Sequence, residues 1–230
     1  KLMVLPVIVL LTAALVATQS RGAFVAFLVG FLVFLMLGVK SKRNLALRIG
    51  ALAGLVLIVG FFFKISPSVA GRYARILNPM ANKDRLEIWR TALLIIKDHP
   101  VFGVGVNNFV DAYPLYEHPE GFVRSMFMAH NILLEFGATT GIPGLILFLV
   151  AIIAALSGAV RCIVKSDFSV SLPVTALAVF VGILTHLQFD ITLNSGDMLP
   201  LFFIPFGVVI TLEKWLALRS DGDFDFQENI

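Results

Sequence analysis

The 230-residue chain is 58% hydrophobic and only 14% charged, which excludes an ordinary soluble domain and makes lipid the expected solvent for much of it. A formal charge of +3, scattered along the chain, excludes nucleic acid as a partner and bears on orientation instead. The lone cysteine, Cys162, has no second Cys or nearby His, so a disulfide framework and a zinc site are excluded and a packing thiol remains.

A bilayer core of about 30 Å needs roughly 20 apolar residues per helix. Apolar windows near that length, with charge confined to their ends, run approximately 3–18, 22–39, 46–63, 144–160, 172–190 and 198–216. The expected fold is therefore all-α, a polytopic membrane bundle of about six transmembrane helices with one large extracytoplasmic helical loop. Its parts are three spans in 1–63, a loop domain with two helical stretches in 64–143, three spans in 144–216 and a tail at 217–230. Lys1 leads straight into the first window with no signal-peptide cleavage pattern, so the chain reads as a piece of a longer protein.

Between the second and third windows lie Lys40, Ser41, Lys42 and Arg43 and, slightly later, at the start of the third, Arg48, the densest basic cluster of any short connection. The positive-inside rule puts that cluster in the cytoplasm. Arg161 and Lys165 after the fourth window, and Lys214 and Arg219 after the sixth, agree. Both ends of the chain are then cytoplasmic, and the 64–143 loop, the turn at Ser20 and Arg21 and the connection near 190–198 lie outside. Arg21 is a lone cation on the face where few are expected, and snorkelling to lipid phosphate is its bland explanation.

Within the loop, Asn82 can cap a helix from about Lys83 to Lys97, with Leu86, Trp89, Leu93 and Ile96 on one apolar stripe and His99-Pro100 ending it. Gly103 and Gly105 follow that helix without a third glycine or a βαβ setting, so they serve tight turning and not a dinucleotide. An irregular stretch at 114–121 carries Tyr116 and His118, and a second helix is expected over about 125–138, broken by Gly141 and Pro143.

Several side chains can carry chemistry, each with a plain structural alternative. His130 is either a hydrogen-bonded structural residue or a base, and nothing near it has metal-ligand spacing. Arg90 pairs naturally with Glu87 three residues earlier. Arg85 has Trp89 one turn on, so it either packs over indole or clamps a phosphate with its planar fork. Asp221, Asp223 and Asp225 form a solvated acidic tail, Glu117 and Glu120 flank a loop proline, and Asp190 and Asp197 bound the last external turn. His186 is a histidine within the fifth span with no assigned role.

The order of these features resembles a known family. Thr18-Gln19-Ser20-Arg21-Gly22-Ala23 looks like the Ser-Arg-Gly motif of the O-antigen ligase family. The stretch Arg85-Leu86-Glu87-Ile88-Trp89 with Asp98-His99-Pro100-Val101-Phe102-Gly103-Val104-Gly105 is similar to its large periplasmic loop. His130-Asn131-Ile132-Leu133-Leu134 and Gly141-Ile142-Pro143-Gly144 are similar to its His-Asn and Gly-x-Pro-Gly elements. Members have about ten to twelve spans, so the chain resembles a C-terminal half.

The resemblance implies a metal-independent, inverting glycosyltransferase without a cofactor, in the bacterial inner membrane with its large loop periplasmic. The implied donor is a glycan on a polyprenyl diphosphate. The foremost implied acceptor is lipid A core, as for an O-antigen ligase; a glycan polymerase and a protein O-oligosaccharyltransferase are the alternatives within the family. In that reading His130 is catalytic, Arg21 and Arg85 bind the diphosphate, and Arg90 and Asn131 support them. A transporter of lipid-linked glycans is the non-enzyme alternative; it calls for ionisable groups near the bilayer midplane, whereas these lie at the outer boundary.

Overall fold

The computed structural model describes residues 4–37, 45–65, 67–75, 78, 80–165, 172–190, 202–204 and 206–211. The basic segment at 40–43, Asp197 and the acidic tail lie outside the described residues. All regular structure among the described residues is helical: α1 (Val4–Ala17), α2 (Arg21–Leu37), α3 (Leu45–Ile65), α4 (Pro67–Ala74), α5 (Lys83–Asp98), α6 (Phe109–Ala112), α7 (Ile132–Lys165) and α8 (Leu172–His186). A last apolar helical stretch spans Phe202–Thr211. By length and composition, Ile132–Val164 is the one described helix able to cross a membrane, and Arg21–Leu37, Leu52–Ile65 and Leu172–His186 are shorter apolar helices.

Small residues set the central packing. Gly22, Ala26 and Gly30 recur every fourth residue on α2; Ala26 and Gly30 face Ala178 and Gly182 of α8, where a Cβ on Gly30 would lie 2.8 Å from the Ala178 carbonyl oxygen, and Gly22 meets Phe189. Backbones can approach that closely only where side chains are absent, the usual device of helices packed in an apolar medium. Large apolar side chains such as Leu10, Met36, Leu57, Phe61, Leu147 and Val164 are exposed. A surface of that kind marks contact with lipid or with another protein.

Helix α5 starts and ends close to expectation, but its buried face is not the expected stripe. Ile88, Ala92 and Ile95 are buried with Phe109, Tyr113, Ala129 and Ala138, whereas Leu86 and Leu93 are exposed. Two apolar stripes run along this helix, and the one that meets α7 carries the small Ala92, which allows a close approach. Asn82 stands at the cap position without a side-chain cap bond; its amide donates instead to the Asn78 carbonyl at 2.9 Å.

The expected helix at 125–138 begins only at Ile132, because His130 takes a positive φ of 51° and Asn131 caps the helix from Ile132 onward. The anticipated break at Gly141 is present, with φ 75°. A break strands backbone groups, and the Gly103–Gly105 turn takes them up. Val104 N–H donates to the Ala138 carbonyl at 2.8 Å, Gly105 N–H to Thr139 at 2.9 Å, and Ile142 N–H to Pro100 at 2.8 Å. Gly103 has φ 62°, and a Cβ there would lie 2.5 Å from the Thr139 carbonyl carbon. The two glycine motifs are thus one reciprocal junction.

Candidate functional site

His130 lies where the irregular segment after Tyr116 meets α7, and three contacts hold that point against the end of α8. Ile132 N–H donates to the Leu187 carbonyl at 2.8 Å, and the Asn131 side-chain amide to Gln188 at 3.4 Å. Asn131 Oδ1 meanwhile accepts from Leu133 and Leu134 N–H at 3.0 and 3.1 Å, the work of an N-cap. The third contact joins His130 Nδ1 to Asp190 Oδ1 at 3.3 Å. A carboxylate only accepts, so Nδ1 carries the hydrogen, and Nε2 is the ring nitrogen left to exchange a proton. The hydrogen bond from His130 is the main cause holding the Asp190 carboxyl below its ordinary range; burial opposes it, and charge on His130, His186 and Arg85 adds to it.

Arg21 opens α2 directly after Ser20, whose Oγ accepts from Ala23 N–H at 3.2 Å and caps the helix. Its guanidinium donates to the Arg75 and Ala81 carbonyls at 3.3 and 3.4 Å, which brings the stretch before α5 over the start of α2. Arg85 projects from the first turn of α5 to the same place. Both line a recess of about 180 Å³ with Gly22, Val25, Asn82, Leu86, Trp89 and Phe189. Gly22 is required there, since a Cβ on it would lie 2.7 Å from the Phe189 Cβ.

The recess is electropositive and partly dry. Burial is the main cause lowering the Arg85 guanidinium from its ordinary value; Asp190 raises it and Arg21 lowers it, so the three charges sit close together. Among the described residues neither arginine has a carboxylate within ion-pair distance. Arg85 is not stacked on Trp89 either; the cation over a ring in this region is Lys83, 5.0 Å from the centre of Phe122. Trp89 carries a buried indole N–H with no hydrogen-bond partner, an arrangement that costs on the order of 1–3 kcal/mol.

Of the residues singled out from sequence, Arg21, Arg85 and His130 therefore converge, joined through Phe189 and Asp190. Arg90 does not line the recess: it pairs with Glu87 at 3.1 Å, as its spacing suggested, and donates to the Glu117 carbonyl at 3.1 Å. His118, beside it, lies 3.2 Å from Glu87 Oε1 and stacks on Tyr113, fastening the loop to α5. Asn131 acts through backbone positioning. Cys162 is buried in the bundle. Sequence reasoning missed two participants, Asp190 as partner of His130 and Trp89 as lining of the recess. Asp190 carried only the signal of a carboxylate one turn beyond His186 at the end of an apolar span, which does not name His130 as its partner. No group of three or more His, Cys, Asp or Glu among the described residues is arranged to hold a metal ion.

The family described as O-Antigen ligase matches residues 6–149, more than half of the chain, from within α1 through His130 to the first turns of α7 beyond its break. The chain belongs to the O-antigen ligase family. No curated protein matches it individually. Members of the O-antigen ligase family are ligases and polymerases of glycans, and lipid-linked glycans are their general substrates. An imidazole held by a carboxylate, beside a recess with two uncompensated guanidiniums, can accept a proton at one point and hold a polyanion at the other.

Proposed function

We propose that the protein is a membrane-embedded inverting glycosyltransferase. It moves a glycan from a polyprenyl diphosphate to an acceptor hydroxyl, foremost that of a lipid A core sugar, and so acts as an O-antigen ligase. One observation carries the reading: the carboxylate-held His130 stands next to a recess in which Arg21 and Arg85 have no carboxylate partner.

The chemistry needs a base and a charge sink. His130 Nε2 takes the acceptor hydroxyl's proton while its oxygen forms a bond to the anomeric carbon. The bond from that carbon to the phosphate oxygen breaks, and its electron pair leaves with the diphosphate. Arg21 and Arg85 offset the charge that grows on the leaving group, the service a divalent cation supplies in other enzymes, so the proposed reaction is metal-independent. Asp190 fixes the tautomer and orientation of the imidazole, as a third group does in other general-base sites. A single direct displacement inverts the anomeric centre.

The surroundings suit an amphipathic donor. An apolar groove of about 380 Å³ runs between α2 and α8 from Ala23 and His186 past Phe27 and Phe31 to Phe34, beginning beside the recess. It suits a polyprenyl chain, while the exposed apolar faces of the helices suit lipid. In this reading the chain spans the bacterial inner membrane six times, with the loop before α7 in the periplasm and both of its ends in the cytoplasm.

The test is transfer by the reconstituted full-length protein from a polyprenyl diphosphate glycan to three acceptors: lipid A core, a second glycan repeat and a protein hydroxyl. Lipid A core as the preferred acceptor supports the ligase; either other acceptor reassigns the protein to a polymerase or a protein glycosyltransferase, and binding without transfer to a transporter. His130→Ala is expected to lower transfer roughly 10²- to 10⁴-fold. Near-normal transfer by this variant would sink the assignment.

A further inference from the structure

The turn that follows α5 presents apolar side chains outward. Val101, Phe102 and Val106 are 55%, 86% and 71% exposed, and Phe102 is the most exposed large apolar side chain among the described residues. Gly103 supplies the reversal of the chain, so turning alone does not call for a valine and a phenylalanine before it; a turn standing in water favours small or polar residues there. The turn is also firmly held. Its three backbone hydrogen bonds join it to α7 at the break, and a Cβ on Gly141 would lie 2.9 Å from the Phe102 backbone nitrogen. Just beyond that break Ile142, Ile146, Leu147 and Val150 are exposed on α7 at helical spacing, on the described helix that is long and apolar enough to cross a membrane. The exposed apolar residues of the turn therefore adjoin the exposed apolar face of that helix.

We propose that Val101, Phe102 and Val106 form a lipid contact of the loop, dipping into the outer leaflet beside the outer end of α7. This rests on the reading of α7 as a membrane span and goes beyond it, because the turn belongs to the segment otherwise placed in the periplasm. Lipid is the partner that the position selects, since the patch continues an apolar helix face that lipid already covers in that reading. Lys97, exposed one turn before Val101, has the long stem that lets a cation stay at headgroup level while its neighbours are submerged. The neighbouring carboxylate, Asp98, is engaged by the Tyr116 hydroxyl at 3.0 Å. Helix α5 carries Arg85 in its first turn and this wedge just past its last. A turn seated in lipid thus sets the height of the recess against the bilayer, at the level where the diphosphate of a lipid-linked donor lies.

The test places an environment-sensitive fluorophore, NBD, on single cysteines in the full-length protein with every other cysteine replaced by serine, reconstituted in phosphatidylethanolamine–phosphatidylglycerol vesicles. Three variants are compared: Phe102→Cys in the turn, Arg124→Cys elsewhere in the loop and Leu147→Cys on the exposed face of α7. The label at 102 is expected to emit to the blue of the label at 124. Lipid carrying a doxyl group near the carboxyl end of its acyl chain should quench it several times more strongly than the label at 124, and aqueous iodide several times less. If the label at 147 is quenched by the doxyl lipid while that at 102 responds to iodide as 124 does, the turn stands in water and the proposal falls while α7 remains a span. Protection of 102 from both quenchers also overturns it, because protein then covers the patch. If the label at 147 escapes the doxyl lipid, the reading of α7 fails and the proposal with it.

Discussion

At the level of single residues, the pairing of His130 with Asp190 gives the proposed base the oriented imidazole that burial alone would not. The two lie 60 positions apart in the chain, and no spacing pattern connects them. His130 was legible because Asn131 follows it in a recognisable motif; Asp190 was not, because its meaning exists only once α8 ends beside α7. Asp190→Asn keeps the size of the side chain but no longer enforces the Nδ1–H tautomer. Transfer is expected to fall roughly 10²-fold or more, up to the ~10⁴ seen when the carboxylate of a serine-protease triad becomes an amide; a rate within a factor of three of the parent would show that Asp190 does not orient the base.

The tyrosines give a second measurement at the same scale. All three have phenols raised above the ordinary value, each chiefly by burial. Tyr116 is pushed up to about 12, by burial first and then by its hydrogen bond to Asp98 at 3.0 Å. A folded value raised above the unfolded one means that the contact's contribution is whole below about pH 10 and is lost as pH climbs through about 12. Ultraviolet titration should therefore show phenolate late in the folded protein and near pH 10 after denaturation, and Tyr116→Phe should remove the step near 12.

At the level of elements, the apolar windows marked most helices to within a few residues, because a long uncharged run has few alternatives to a buried or lipid-facing helix. The start of α7 misled: Met126, Phe127, Met128 and Ala129 look helical, yet that segment stays irregular up to the Asn131 cap. The apolar stripe on α5 misled for a related reason, since Leu86 and Leu93 have the right spacing but the small Ala92 decides which face meets α7. The two glycine motifs were read separately as turns, and their shared junction could not be read from either alone. Gly103→Ala adds a side chain at a positive φ into the α7 backbone and is expected to cost roughly 2–4 kcal/mol. Gly54→Ala in α3, where a Cβ meets nothing within 4 Å, should be neutral or slightly stabilising. Equal thermal unfolding of the two variants would argue against the junction.

At the level of the whole molecule, the proposed orientation comes from loop charge and can be checked without activity. Cys162 is the single cysteine of this chain, so a background in which it, and any cysteine outside the chain, is replaced by serine accepts one probe position at a time. A cysteine replacing the exposed Arg124 should react with an impermeant maleimide in intact cells, whereas one replacing Ser41 should react only after permeabilisation. The opposite pattern inverts the protein and moves His130, Arg21 and Arg85 to the cytoplasmic face.

The junction at Gly141 also bears on how the protein is made. Ala138, Thr139 and Ile142 find their partners in Pro100, Val104 and Gly105, residues that leave the ribosome first. The receiving turn is thus already synthesised when the broken helix emerges, and the stranded groups can be capped as that helix enters the bilayer. A circular permutant that delivers α7 before this turn reverses the sequence of events and should insert poorly even though every native contact remains available to the finished chain.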